Sequence, residues 1–102
     1  MIMTERKPTT VGEILNEEFL EPHGLTQAQL ADAMGVPRKH VNELCNNRRA
    51  VTVDTALILG RVFGTSPDFW LNIQRRNELW SAMHSPDRRK RIERARPLNA
   101  AA

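Results

Sequence analysis

The residues best suited to chemistry lie between Arg38 and Arg49, in the stretch RKHVNELCNNRR. This stretch contains four Arg and Lys side chains and one acid, Glu43. Guanidinium and ammonium groups bind phosphate oxygens, and Arg, Lys and Asn side chains donate hydrogen bonds to guanine and adenine in the major groove of DNA. A cluster of these residue types therefore predicts a nucleic-acid contact, provided that the fold places them on one face.

Two short helices joined at a glycine would provide such a face. Thr26 is a helix-capping residue, and the helix after it is predicted to end at Gly35, which enters the left-handed region at little steric cost. A second helix is predicted over residues 37–45, because Pro37 suits a first helical turn and the asparagines after Cys45 tolerate the conformation that ends helices. Two helices joined by such a turn form a helix-turn-helix.

The spacing within this segment predicts which residues are buried. Ala31, Gly35 and Val41 stand where a helix-turn-helix needs a small residue at the helix crossing, the turn itself and an anchor to the core. With these three facing inward, the predicted DNA-binding residues are Gln27, Arg38, Lys39, His40, Asn42, Glu43, Arg48 and Arg49. A plain helical hairpin with a solvated basic face is the alternative, because the Ala–Gly–Val spacing alone also arises by chance.

The predicted DNA-binding residues divide between two roles. The first turns of a recognition helix meet base edges, and the residues expected to read bases are Arg38, Lys39 and Asn42. Phosphates are bound by polar side chains and by N–H groups at helix N-termini. The residues expected to hold phosphates are Gln27, Arg48 and Arg49.

Helical periodicity continues on both sides of this motif, and no segment has the alternation of a strand. Thr10 and Glu13 form a capping-box pattern at the start of a first helix. A fourth helix is predicted to be capped by Asp54, and a fifth to run from a cap at Ser66 to Met83. The predicted fold class is therefore all-α, with five helices.

Charge separates this five-helix domain, predicted over residues 10–84, from a basic C-terminal extension over residues 85–102. Residues 86–102 hold six basic and two acidic residues, whereas the rest of the chain holds nine basic and ten acidic residues. The net charge of +3 is therefore a property of the extension. Its basic run Arg88–Arg91 is predicted to add non-specific DNA affinity, to touch a partner protein or to be simply solvated.

The fifth helix carries a wide apolar stripe near the edge of a small domain. A two-fold dimer contact is predicted for part of this stripe, and the intradomain core is the alternative for the rest. The predicted dimer-interface residues are Phe69, Trp70, Ile73, Trp80 and Met83.

Catalytic and metal-binding chemistry is not expected. Cys45 is the single cysteine, which excludes an intrachain disulfide, and the three histidines are too scattered to predict a metal site. No glycine-rich phosphate loop and no nucleophile–histidine arrangement is found. We therefore expect no enzyme, no catalytic residue, no cofactor and no metal. No apolar run approaches the roughly 20 residues of a membrane span, so the expected location is cytoplasmic.

Longer stretches of the chain resemble one family. GEILNEEFLEPHGLTQAQLA, VPRKHVNELCNNRRAVTVDTALILGRVFGTSPDFWLNIQ and RIERARPL are similar to the HigA/VapI-type antitoxins, also called plasmid-maintenance antidote proteins. Residues Thr26–Arg49 resemble the Cro/C1-type helix-turn-helix of phage repressors. The resemblance extends from about Val11 to Leu98, and GTSPDFWLNIQ is its most specific part. It implies a phage-repressor-like domain that forms a homodimer.

The resemblance also implies a function. Members of this family are sequence-specific DNA-binding antitoxins that repress their own operon and neutralise a RelE-like, HigB-type toxin, a ribonuclease that cleaves mRNA on the ribosome. The implied partners are double-stranded operator DNA, that toxin and a second copy of the chain. A solitary transcriptional regulator without a toxin is the alternative, and a helical interaction module that binds no DNA is a third hypothesis.

The first helix offers a candidate surface for such a toxin. It is acidic, and an acidic face suits a basic ribonuclease; a solvated face is the other interpretation. The residues concerned are Glu13, Glu17, Glu18 and Glu21.

Overall fold

The computed structural model describes residues 6–98, which form six helices and no strand. The first helix, α1, is continuous: it is α-helical over Val11–Ile14, π-helical over Leu15–Leu20 and α-helical again over Glu21–His23. The others are α2 (Gln27–Met34), α3 (Arg38–Cys45), α4 (Val53–Phe63), α5 (Pro67–Met83) and α6 (Pro86–Glu93). The all-α class predicted from the sequence is confirmed.

Two details of the predicted helices are wrong. The cap of α4 is Thr52, whose hydroxyl accepts the N–H of Thr55 at 3.2 Å, and not Asp54. The prediction of five helices also misses α6, which lies within the charged extension. Ser85 stands at its N-cap position and Pro86 in its first turn, so the start signals of a helix are present. The density of charge in this segment obscures them.

The core draws a large side chain from every helix between α1 and α5. The largest fully buried side chains are Leu15, Leu30, Val41, Leu44, Leu59 and Trp70. In contrast, α6 contributes no buried residue and packs against α5. The helix-turn-helix is therefore held by the core of the whole domain, and α6 is an addition to its outside.

Trp70 closes one end of this core. Its ring centroid lies 5.2 Å from that of Phe19 on α1 and 5.0 Å from that of Phe69. The indole Nε1–H donates to the hydroxyl of Thr65 at 2.7 Å, which satisfies the polar group of a buried ring. Because Ser66 caps α5 directly after Thr65, the segment GTSPDFW both starts the helix and fixes its tryptophan.

The burial of Trp70 corrects part of the predicted dimer interface. Trp70 is fully buried and Ile73 is 6% exposed within a single chain, so neither has surface to offer a second copy. The first half of α5 buries Trp70 and Ile73 in the core, whereas Ala82 is the buried residue of its second half. Phe69 remains 38% exposed, and Trp80 and Met83 are half-buried.

The C-terminal end of α3 lies very close to α1 at Gly12. The N–H of Gly12 donates to Oδ1 of Asn47 at 2.9 Å, and the side-chain amide of Asn16 donates to the carbonyl of Cys45 at 3.2 Å. A Cβ atom on Gly12 would lie 2.8 Å from Oδ1 of Asn47 and closer still to the carbonyl oxygen of Cys45. Only glycine fits here, and this contact fixes where α3 ends relative to α1.

We expect Gly12→Ala to lower the free energy of unfolding by roughly 1–3 kcal/mol, because the added methyl group overpacks against a backbone carbonyl. Helix propensity alone would change stability in the other direction, by up to about 1 kcal/mol in favour of alanine. Urea unfolding followed by circular dichroism measures the sign directly. A stabilised Gly12→Ala variant would contradict the close approach of α1 and α3.

Candidate DNA-binding surface

The predicted helix-turn-helix is formed by α2, a glycine turn and α3. Thr26 caps α2 in a reciprocal capping box with Gln29, in which each backbone N–H donates to the other residue's side chain. Gly35 ends α2 with φ of 70°, the left-handed conformation that glycine adopts without strain. Ala31 and Val41 are buried at the crossing of the two helices, as their spacing predicts.

The two sides of α3 differ sharply in exposure. Val41 and Leu44 have no exposed surface and anchor the helix to the core. The three predicted base-reading side chains, Arg38, Lys39 and Asn42, are all exposed. The structure therefore brings them together on one solvent-facing side of a helix whose other side is fixed.

A side-chain hydrogen bond links the two helices across this surface. The amide Nδ2 of Asn42 on α3 donates to Oε1 of Gln27, the first residue of α2, at 3.1 Å. Gln27 is half-buried and Asn42 is exposed. The bond therefore orients the Asn42 amide, one of the groups expected to meet a base.

The acid of α3, Glu43, is paired with Arg49. Both Nε and Nη2 of Arg49 donate to Oε1 of Glu43, at 3.0 and 2.8 Å. This hydrogen bonding from Arg49 lowers the pKa of Glu43 below its ordinary value. The pair offsets the negative charge of the helix, but it also engages much of the Arg49 guanidinium.

His40 is a predicted DNA-binding residue whose ring is only partly accessible to solvent. It is half-buried, and its Nε2 atom is buried without a hydrogen-bond partner. Burial first, and then the nearby positive charge of Arg49, lower the pKa of His40, with Glu43 acting in the opposite direction. The neutral ring is thereby favoured, so His40 adds packing on this side of α3 more readily than charge.

The loop after α3 continues the same surface in a fixed conformation. Asn47 adopts φ of 57°, and the backbone N–H of Arg48 donates to the carbonyl of Glu43 at 2.8 Å. The side-chain amide of Asn46 also donates to the carbonyl of Asn42 at 2.8 Å. Arg48 and Arg49 are exposed, so the loop presents them at a defined distance from the recognition helix.

Two residues that position this surface were not predicted from the sequence. Gly12 and Asn47 anchor the end of α3, although neither was assigned a role beyond helix ends and turns. A glycine within a helical pattern costs about 1 kcal/mol relative to alanine and thus indicates a packing requirement. That signal was present at Gly12, but its partner lies 35 residues away in the sequence.

Within residues 6–98, no group of three or more His, Cys, Asp or Glu residues is arranged to hold a metal ion. Among the same residues, no helix has both the length and the apolar character required to cross a membrane.

Comparison with known proteins relates the whole chain to one family. Residues 17–70 match the helix-turn-helix family model. The chain is 48% identical over 80 residues to antitoxin HigA-1 of Vibrio cholerae, which covers 78% of this chain and 75% of that protein. The chain belongs to the HigA-type antitoxin family, with a Cro/C1-type helix-turn-helix.

Two further comparisons support the relationship. An uncharacterized HTH-type transcriptional regulator of Haemophilus influenzae is 42% identical over 95 residues, which cover 93% of this chain and 89% of that protein. The structure of antitoxin GraA in complex with its operator superposes with a TM-score of 0.84 at 35% identity, covering 98% of this chain and 100% of the other. The HigA-type family predicted from the sequence is thus confirmed.

Proposed function

We propose that this protein is a sequence-specific DNA-binding antitoxin that represses its own operon and neutralises a RelE-like, HigB-type mRNA-cleaving toxin. The observation that carries the DNA-binding part is the single exposed side of α3, where Arg38, Lys39 and Asn42 project from a helix anchored by Val41 and Leu44. A relative in the same family has been solved bound to its operator. Operator DNA as the target places the site of action in the cytoplasm.

Base reading is assigned to the first turns of α3. Arg38 and Lys39 donate to guanine, and the amide of Asn42 suits adenine, which needs both a donor and an acceptor. Because Gln27 holds the Asn42 amide from the side, Gln27 serves both to orient that amide and to contact a phosphate at the start of α2. Glu43 and His40 flank the residues proposed to read bases. Of the proposed DNA-binding residues, these two are expected to contribute least to DNA binding.

Phosphate contacts are assigned to Gln27, Arg48 and Arg49. Arg48 makes no ion pair with any residue of the described chain, so its charge is available to a phosphate. Arg49 has to share its guanidinium between Glu43 and DNA. These contacts determine the position of the protein on the DNA and the salt dependence of binding, rather than base preference.

A homodimer supplies the second recognition helix. Helix-turn-helix dimers place two recognition helices about 34–36 Å apart, one turn of the duplex, on near-palindromic sites. We assign the dimer contact to the part of the α5 stripe that is not fully buried, which consists of Phe69, Trp80 and Met83. Leu79, 39% exposed, lies beside them.

The toxin surface is assigned to α1. Its side chains Glu13, Glu17, Glu18 and Glu21 are all exposed, and their charge suits a basic ribonuclease. The support for a toxin partner is membership of the family, since the relative from Vibrio cholerae is named an antitoxin. The alternative is a solitary regulator, because the related protein of Haemophilus influenzae is named a transcriptional regulator and the DNA-binding surface is complete without a toxin.

The division between base reading and phosphate binding can be tested by substitution. Arg38→Ala is expected to weaken operator binding by roughly 1–3 kcal/mol and to relax preference at one base pair. Arg48→Ala is expected to weaken operator and scrambled duplexes alike, and to reduce the salt slope by about one unit. Each variant is titrated with both duplexes at several salt concentrations. Equal, sequence-independent losses for both variants would show that the roles are wrongly assigned.

The α5 dimer contact can be tested by sedimentation. Trp80→Ala is expected to shift the protein toward monomer at micromolar concentration while leaving helix content unchanged, because Trp80 lies outside the buried core. Leu57→Ala is the matched control: Leu57 is 52% exposed, but on α4. A wild-type protein that sediments only as a monomer would contradict the dimer, and dissociation by Leu57→Ala alone would move the interface to α4.

Toxin neutralisation and DNA binding should be separable. The double variant Arg38→Ala, Lys39→Ala is expected to lose operator binding yet still rescue growth when it is co-expressed with the proposed HigB-type toxin. A Glu17→Lys, Glu18→Lys variant is expected to show the reverse behaviour, because it inverts charge on α1 only. If the folded recognition-helix variant fails to rescue growth, the toxin surface overlaps α3.

A further inference from the structure

An open groove of about 400 Å³ lies beside the end of the recognition helix. Its walls come from segments that are far apart in the sequence: Lys7 before α1, the loop over residues 47–50, one side of α5, and Arg88 at the start of α6. The groove therefore exists only in the folded protein with α6 in place. None of the sequence-based predictions includes Lys7, and Arg88 enters them only as part of the basic run Arg88–Arg91.

The charge of this groove is strongly positive. Four cationic side chains line it, against one carboxylate, Glu78, which already accepts a hydrogen bond from Gln74 at 2.8 Å. Arg49 is paired with Glu43. The other three cations are not engaged in an ion pair with any residue in the range 6–98; they are Lys7, Arg48 and Arg88.

The orientation of α6 places Arg88, the first residue of the basic run Arg88–Arg91, against the groove. Arg88 lines the groove, whereas Arg89 forms an ion pair with Glu93 along the helix at 3.5 Å. Lys90 is exposed and does not line the groove. The sequence left open whether this run touches DNA, touches a protein or is solvated, and the structure distinguishes one arginine from its neighbours.

The occupant that suits these features is a polyanion. Cations that line an open groove attract phosphate oxygens, and they repel a basic protein such as the proposed toxin. The groove is also continuous with the proposed DNA surface, because Arg48 and Arg49 belong to both. A DNA strand that leaves the major groove at Arg48 can therefore continue toward Lys7 and Arg88.

We propose that this groove binds the DNA backbone flanking the half-site that α3 reads, with Lys7 and Arg88 as additional phosphate contacts. This inference rests on the proposed DNA-binding function and deepens it. It gives α6 a role in extending the footprint, and it adds affinity without base preference, since phosphate contacts carry no sequence information directly.

The test compares two charge-matched double variants on two lengths of DNA. Lys7→Ala, Arg88→Ala removes two of the four groove cations and keeps Arg48 and Arg49, whereas Arg75→Ala, Lys90→Ala removes one arginine and one lysine that are exposed outside the groove. The operator is first mapped by footprinting upstream of the gene. One duplex is trimmed to its two half-sites, and the other is extended by about one half-turn of flanking DNA on each side. Binding is measured over a series of salt concentrations.

On the extended duplex, the groove variant is expected to reduce the salt slope by about one unit per lost contact, or about two units for the pair. The control variant should keep the wild-type slope. On the trimmed duplex the two variants should behave alike, because the flanking phosphates are gone. Both variants should retain the wild-type ratio of operator to scrambled binding, which also shows that they are folded.

Equal slopes for the groove and control variants on the extended duplex would overturn the inference. The inference would also be overturned if the groove variant reduced the salt slope as much on the trimmed duplex as on the extended one, because the charges would then act on the half-site itself. Loss of toxin binding with unchanged DNA binding would assign the groove to a protein partner instead. If the wild-type protein did not distinguish operator from scrambled DNA, the proposed function would fail, a result distinct from failure of the groove alone.

Discussion

The close approach of α1 to the end of α3 at Gly12 is the constraint on which the functional surface depends. A recognition helix reads bases only if its exposed side has one orientation, and α3 is held at both ends. The turn at Gly35 sets its start, while the hydrogen bond from Gly12 to Asn47 sets its end. Because Asn47 also leads into Arg48, the same contact places the loop proposed to bind phosphates relative to the residues proposed to read bases.

Charge is distributed so that the two proposed partners are assigned surfaces of opposite charge. The α3 side and the adjoining groove are cationic, and the acid on α3 is neutralised by Arg49. The exposed side of α1 is acidic over Glu13, Glu17 and Glu18. A polyanion and a basic protein are therefore attracted to separate surfaces, which would allow repression and toxin neutralisation to coexist in one small domain.

Local sequence signals predicted the helix-turn-helix motif well, but they could not predict contacts between residues that are far apart in the sequence. The caps at Thr10, Thr26 and Ser66 and the turn at Gly35 depend on neighbouring residues only, so the sequence predicts them correctly. Trp70 was assigned to a dimer stripe because periodicity shows which side of a helix is apolar but not how far the core extends along it. The ordering of α6 and the groove at Lys7 and Arg88 depend on segments that meet only in three dimensions.

We propose that DNA is bound by the start of α2, by α3 and by the loop that follows. A titration of ¹⁵N-labelled protein with a duplex carrying its operator tests this proposal residue by residue, because each backbone N–H reports its own surroundings. The largest shifts are predicted at Gln27, at residues 38–43 and at residues 48–49, with the acidic side of α1 unchanged. Shifts concentrated on α1 or α5, with α3 unaffected at saturating DNA, would contradict the account.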